Sequence, residues 1–343
     1  MVPGRGRRRL LILRALGLGD LLTAAPALRA LARAYPDYER VLGAPALLAP
    51  LVRCIDPELR LAPVGELEAL PASVHRASMA VNLHGRGPQS HRLLRETRPE
   101  DFIWFEHPEI GESIGAPRWL ETEHEVRRWC RLLSQSGVPA DPGELDIEPP
   151  PGEPPEAARE ATLVHPGAAS GARRWPAERF AEVALHERRQ GRRVVVTGGP
   201  GEVELAERIV SRAGLGPESM LAGRTDLADL ARAVGAAGRV LCGDTGVAHL
   251  ATALGTPSVV LFGPTSPELW GPPAERATHR VLWAGASGDP HGAQPFAGLL
   301  DLGCEEVIDA LETLPGLLTA HGTRIVAGTV GSTLAIEASK REQ

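Results

Sequence analysis

The run Cys242-Gly243-Asp244-Thr245-Gly246-Val247-Ala248-His249 holds residue types that do chemistry, at a spacing that brings them together. An apolar stretch (238–241) precedes it, an Ala/Leu-rich segment follows, and a second apolar run (258–264) closes the unit. Strand, turn, helix and strand make a βαβ unit. A turn of Asp, Thr and Gly that opens a helix gathers unpaired backbone N–H groups at the positive end of the helix dipole, which suits an anion and phosphate above all. His249 lies one turn in and can reach the same anion. The Asp244 carboxylate is wrong for phosphate alone and right for the hydroxyls of a polyol attached to one. A second reading stays open: Asp244 as the N-cap, accepting from Gly246 or Val247.

Three more loops hold candidate residues. His165-Pro166-Gly167-Ala168-Ala169-Ser170-Gly171 runs into Arg173-Arg174-Trp175-Pro176. Its glycines let backbone N–H groups approach an anion and its arginines add a charged fork; the alternative is an ordinary βα loop with two solvated arginines. In Thr197-Gly198-Gly199-Pro200-Gly201-Glu202 the carboxylate can accept from a ribose or serve as a first-turn helix charge. Gly17-Leu18-Gly19-Asp20 follows an apolar run near the N-terminus and puts Asp20 at the mouth of a first sheet, as a second carboxylate of interest or as an N-cap. A polar loop with Asn82, His84, Arg86, Gln89 and His91 either lines an acceptor side or is simply solvated.

Common nucleotide fingerprints fail. Lys340 is the only lysine, so no G-x-x-x-x-G-K-[ST] exists, and Gly17-Leu18-Gly19 lacks the third glycine of G-x-G-x-x-G. A carboxylate at that turn would also repel a dinucleotide pyrophosphate. A nicotinamide dehydrogenase is disfavoured on both counts.

To position these loops the chain must alternate strands and helices. The periodicity predicts a strand at 9–14, a helix over 21–34 stopped by Tyr35-Pro36, a helix near 46–54, a strand at 79–83 and a helix over 123–136. The second half reads as strand 161–165, helix 177–189, strand 193–197, helix 202–213 and helix 227–236. The Pro- and Glu-rich stretch between them cannot hold a helix. The expected organisation is an N-terminal unit over 1–138, a linker over 139–157, a C-terminal unit over 158–315, and a tail over 316–343 of no assigned role. Each unit is expected to be α/β, a parallel sheet covered on both faces, with its site at the carboxyl ends of the strands.

The bulk numbers agree. A length of 343 residues suits two cores better than one. A hydrophobic content of 43%, with 23% charged residues, is that of a globular protein. The net charge of -6 argues against a nucleic-acid partner. Cys54, Cys130, Cys242 and Cys304 form no C-x-x-C pair, so neither a metal nor a disulfide framework is expected, and a cytoplasmic setting is. Arg14 and Asp20 interrupt the apolar run at 10–13 before it reaches signal-peptide length. Contact with a membrane would be peripheral.

Together these motifs resemble the heptosyltransferase family, glycosyltransferase family nine. The resemblance rests on Leu13-Arg14-Ala15-Leu16-Gly17-Leu18-Gly19-Asp20 with Pro26-Ala27-Leu28, on His165-Pro166-Gly167-Ala168 with Arg174-Trp175-Pro176-Ala177-Glu178-Arg179-Phe180, and on Asp244 to Ala251 with Leu261-Phe262-Gly263-Pro264-Thr265. It implies a GT-B architecture of two facing Rossmann-like domains, acceptor side N-terminal and nucleotide-sugar side C-terminal. It implies inversion at the anomeric carbon without a catalytic metal or other cofactor. It makes Asp20 the general base, gives Asp244 the donor sugar, and gives Thr245, Gly246 and His249 the diphosphate. Arg173 stands where the family commonly has a phosphate-contacting lysine, which changes the geometry of that contact. Glu202, with His165 and Gly167, falls on the nucleotide side; the acceptor half matches only in its opening motif, so His84 and Arg86 stay acceptor-side candidates from the polar loop alone. ADP-heptose is the first guess for the donor, and a cell-envelope glycan or glycolipid for the acceptor. The rivals are a sugar-nucleotide epimerase or hydrolase on the same fold, and a non-catalytic nucleotide-sugar-binding module.

Overall fold

The computed structural model describes residues 8–315 and, as backbone only, two further strands at Leu317–Ala320 and Thr323–Val326. The rest of the expected tail, Lys340 included, lies outside the described residues.

The first sheet grows from apolar runs buried on both faces, the pattern of strands covered by helices on either side. β1 (Arg9–Leu13) is followed by two short helices, α1 (Leu18–Thr23) and α2 (Ala25–Ala34), where the sequence predicts one. Pro26 explains the break. A continuous helix would need its missing N–H and would drive its ring against the carbonyl of Leu22, so the chain turns at Ala24 instead. β2 (Glu39–Ala44), α3 (Ala49–Ile55), β3 (Arg60–Pro63), β4 (Met79–Asn82), α4 (Gln89–Glu96), β5 (Phe102–Ile103) and α5 (Glu125–Gln135) complete the unit. All five strands are parallel, in the order β3-β2-β1-β4-β5.

The second sheet is built from β6 (Thr162–His165), α6 (Ala177–Arg189), β7 (Val194–Val196), α7 (Val203–Arg212), α8 (Leu227–Ala236), β8 (Arg239–Gly243), α9 (Gly246–Ala253), β9 (Ser258–Leu261), α10 (Pro267–Trp270) and β10 (His279–Leu282). α11 (Ala297–Asp301) and α12 (Cys304–Glu312) follow, then β11 (Leu317–Ala320) and β12 (Thr323–Val326), which pair antiparallel with each other. The strand order is β10-β9-β8-β6-β7, again all parallel. In each sheet the chain reverses its direction of growth once, between β1 and β4 in the first and between β6 and β8 in the second. Open parallel sheets bind ligands in the crevice at such reversals.

Residues 139–155 form neither strand nor helix. They are tethered on both sides: the Arg29 guanidinium donates to the Glu144 carbonyl at 2.6 Å, and the Ile147 N–H donates to the Ala253 carbonyl at 2.8 Å. The halves touch most closely where α1 meets α9. Leu18 lies on Gly246, and the ring of His249 lies on Gly19. A methyl group at Gly246 would stand 2.8 Å from Leu18 Cβ, and one at Gly19 would stand 2.6 Å from His249 Cδ2. Only glycine permits both approaches.

Candidate active site

β1 ends on Leu13, and the next residue, Arg14, turns into the protein with its side chain fully buried. A guanidinium in that position must spend its donors on protein acceptors. Arg14 Nε donates to the Asp20 carbonyl at 2.8 Å, and Nη1 donates to the Leu83 carbonyl at the end of β4. Nη2 reaches Asp20 Oδ1 at 3.3 Å, Thr23 Oγ1 at 3.2 Å and Glu125 Oε1 at 2.9 Å. The cation therefore ties both sides of the first sheet's reversal to the start of α5. Glu125 also accepts from Arg128 and, at 2.9 Å, from the Trp129 indole, over whose ring Arg14 lies at 4.7 Å.

Asp20 stands at the third position of α1, whose N-cap is Gly17, so it is not itself the cap. Its Oδ2 accepts the Gly17 N–H at 3.2 Å, which is the first-turn role of a helix carboxylate. The rest of the carboxylate faces the cleft. Burial raises its pKa above the ordinary value and Glu125 adds to the rise, against the opposing pull of Arg14.

Asp244 follows β8 and is nearly buried. The N-cap of α9 is Thr245, whose hydroxyl accepts the Val247 N–H at 3.3 Å, so the cap reading of Asp244 does not hold. Its carboxylate instead lies near the Thr265 hydroxyl and 3.9 Å from Arg173 Nη1. Burial raises its pKa, with Arg173 and Thr265 pulling the other way. Among the described residues the Arg173 side chain holds only long hydrogen bonds, to the Asp244 carbonyl at 3.3 Å and Ser170 Oγ at 3.5 Å. Among the described residues no acceptor lies against the Thr245 and Gly246 N–H groups, which open the helix. His249 stacks edge-on to Trp270 at 5.9 Å. Burial, helped by the nearby His124, Arg14 and Arg173, lowers its pKa to about 4, so it is neutral at pH 7.

One cavity of about 740 Å3 joins these groups. Asp20, Gly17 and Gly19 line it from the first half, and Arg173, Asp244, Thr245, Gly246 and His249 from the second, with Trp270 and His291 at its side. His165, Gly167 and Glu202 come together beside it without forming its wall. Glu202 accepts the Gly199 N–H at 2.7 Å, and its other oxygen lies over Gly167, where any Cβ would collide with it. His165, at the end of β6, is held neutral by burial against the pull of Glu202 and bonds Thr197 Oγ1 at 3.0 Å.

The polar stretch 82–91 is not a loop throughout, and of its polar side chains only Arg86 and Gln89 are exposed. Gln89 begins α4. Asn82 and His91 are buried, bonded to each other at 3.1 Å, with Asn82 also on Ser90 and His91 on the Phe105 carbonyl. These polar side chains satisfy one another, so they pack like core residues while reading as surface. His84 Nδ1 accepts the Ala15 N–H at 3.2 Å and braces the β1–α1 turn; burial and Arg14 lower its pKa to about 4. Arg86 is exposed and paired with Glu121 at 2.8 Å. Neither lines the cavity. The residues the sequence reading does not single out are Arg14, Glu125, Thr265 and Trp270. For Arg14 the signal is present: a charge at the end of a buried strand and before a glycine turn requires partners. No local spacing connects Glu125 to it, 111 residues away.

Comparison with known proteins tests the resemblance. The solved structure of a glycosyltransferase family 9 protein from Veillonella parvula superposes with a TM-score of 0.73 at 23% identity, over 91% of this chain and 98% of that one. The ADP-heptose LPS heptosyltransferase II of E. coli gives 0.69 at 22% identity, over 89% and 97%. The E. coli heptosyltransferase WaaC with ADP gives 0.66 at 19%, over 89% and 99%. At such identities the likeness is one of fold, and the fold is GT-B. A search of curated proteins by sequence finds no match. The model of glycosyltransferase family 9 (heptosyltransferase) matches residues 116–291, about half of the chain and the whole stretch that carries Arg173, Asp244 and His249. On that match the chain belongs to glycosyltransferase family 9 and is a glycosyltransferase.

Proposed function

We propose that this enzyme transfers a sugar, heptose or a close relative, from a nucleotide diphosphate to a cell-envelope glycan or glycolipid such as lipopolysaccharide, with inversion. The observation that carries this reading is the shared cavity, in which Asp20 of one half faces Asp244, Arg173 and the start of α9 of the other. The acceptor hydroxyl attacks the anomeric carbon and gives its proton to Asp20. The bond from that carbon to the diphosphate oxygen breaks, and the nucleoside diphosphate leaves from the opposite face. One displacement inverts the centre. A carboxylate whose pKa is raised by burial is a better base than one in water, and general-base help of this kind is worth about 10²–10⁴-fold.

The open N–H groups of Thr245 and Gly246 and the Arg173 guanidinium receive the charge that grows on the diphosphate. Neutral His249 donates a hydrogen bond to it. Asp244 accepts from the sugar hydroxyls and favours positive charge at the anomeric carbon. No step calls for a metal. His165, Gly167 and Glu202 are placed on the nucleotide side, Glu202 toward the ribose, and His84 supports the acceptor side through the β1–α1 turn. ADP-heptose is the first donor to test, since the fold-relatives include WaaC with ADP and with ADP-2-deoxy-2-fluoro heptose. The enzyme would work in the cytoplasm, meeting a lipid-linked acceptor at the inner face of the membrane.

Thermal-shift measurements with ADP-, GDP-, UDP- and dTDP-linked sugars, with free nucleotides as controls, test the donor side. One clear stabilisation identifies the donor; none at millimolar concentration overturns donor binding. Asp20→Asn then tests the chemistry. The variant keeps the donor-induced shift and loses turnover about 10²–10⁴-fold. Turnover at the wild-type rate removes Asp20 from the mechanism, and donor consumption that needs no acceptor points to a hydrolase.

A further inference from the structure

Arg14 is a single buried cation placed between two carboxylates. It reaches Asp20 Oδ1 at 3.3 Å and Glu125 Oε1 at 2.9 Å, both through Nη2. The tighter bond goes to the residue outside the cavity. Glu125 is itself buried, and its second oxygen is taken by Arg128, which is anchored in turn on the carbonyls of Leu120 at 3.1 Å and Glu123 at 2.8 Å. The guanidinium cannot slide toward Asp20, because Nε and Nη1 are held by the Asp20 and Leu83 carbonyls. We propose that Glu125 is a positioning residue for Asp20: by holding Arg14 from behind, it keeps that cation from pairing fully with the carboxylate in the cleft and leaves Asp20 oxygen free for an acceptor hydroxyl.

This inference rests on the reading of Asp20 as the base, but its physical content does not depend on a substrate. The other groups that face Asp20 carry little of the balance. His84, after β4, and His249, on α9, are both neutral at pH 7 with pKa values near 4. Arg173 faces Asp244 across the cavity, and His124 is occupied with the Gly271 carbonyl at 2.9 Å. Arg14, Glu125 and Arg128 therefore make a row of alternating charge that ends at Asp20. Neutralising Glu125 gives Asp20 the whole of Arg14 and favours its charged form. Removing Arg128 strengthens the hold of Glu125 on Arg14 and favours the proton on Asp20. The two changes act in opposite directions, which a merely structural role would not produce.

The experiment is a carbon-13 carboxyl NMR titration of the full chain labelled at aspartate, with the Asp20 signal assigned by its loss in Asp20→Asn. In Glu125→Gln the Asp20 midpoint moves to lower pH, and in Arg128→Gln it moves to higher pH. An unmoved midpoint in both overturns the proposal, as does movement of both in the same direction. If Glu125→Gln fails to fold, the upward movement in Arg128→Gln decides alone. With the nucleotide sugar that gives the largest thermal shift, turnover of Glu125→Gln falls about tenfold at unchanged KM, a fraction of what loss of the base itself costs. Should Asp20→Asn keep full turnover, the base reading fails, while the titration still shows whether Glu125 governs Asp20.

Discussion

The two halves of the cavity each set an arginine beside a carboxylate, and they do so in different ways. At the N-terminal reversal the Arg14 side chain is 0% exposed and its donors are spent on five acceptors of the protein. At the C-terminal reversal the Arg173 side chain is 23% exposed, and its contacts run from 3.3 to 3.9 Å. A saturated cation fixes geometry and has nothing left for a ligand. A loosely held one costs little to leave unoccupied and has donors to offer. The first arrangement suits a base that must stand at one distance from an attacking hydroxyl, the second a leaving group that comes and goes.

Removing each cation should therefore have a different kind of consequence. Arg14→Met takes the shared cation from the buried Glu125 and from Asp20 at the cleft, and unfolding in urea should show a loss of about 3–5 kcal/mol. A loss below about 1 kcal/mol would mean that the network is solvated and the contrast wrong. Next in size is the contact that sets the two halves together. Gly246→Ala forces a methyl group against Leu18 and should cost about 1–3 kcal/mol, with turnover falling as Asp20 is pushed away from Asp244. Unchanged stability and turnover would show that α1 and α9 separate freely.

His249, on the wall of the same cavity, tests how far that wall is shielded from water. Folded, it stays neutral down to about 4, while the unfolded chain takes up its proton near 6.5. Below 6.5 the unfolded state binds more protons, so the contribution of this imidazole to stability is whole above pH 6.5 and declines as pH falls toward 4. Between pH 7 and 5 the wild type should lose roughly 1–2 kcal/mol more than His249→Asn, read from urea midpoints at each pH. Equal losses would place His249 in water. The smallest effect on stability belongs to Arg173→Met, within about 0.5 kcal/mol of wild type. Its cost should appear instead as a donor affinity at least about tenfold weaker by calorimetry.

Local patterns made much of this arrangement legible. The βαβ units around Asp20 and Asp244 announce themselves through apolar runs that stop at glycine turns, and α6 and α8 have the bounds their periodicity predicts. Pro26 splits a helix that the apolar spacing alone would run together. Asn82 and His91 mislead because their partners lie in other elements, and a side chain that is satisfied in the core carries the same letter as one in water. Glu125 is the clearest case. Its importance comes from a bond to Arg14 across the fold, and no window of sequence contains both. The tail beyond 315, apart from the two strands β11 and β12, offers no comparison.

The glycine contacts between α1 and α9 have a further consequence. The helix that carries Asp20 and the helix capped by Thr245 are the same two that touch across the cleft, so in the proposed mechanism the reach from base to leaving group is measured by a hard stop. The segment 284–296, which lines the same cavity through His291, lies outside that contact. The two glycines thus act as a gauge: the spacing of the Asp20 and Asp244 turns is fixed by backbone contact, independent of what fills the cavity between them.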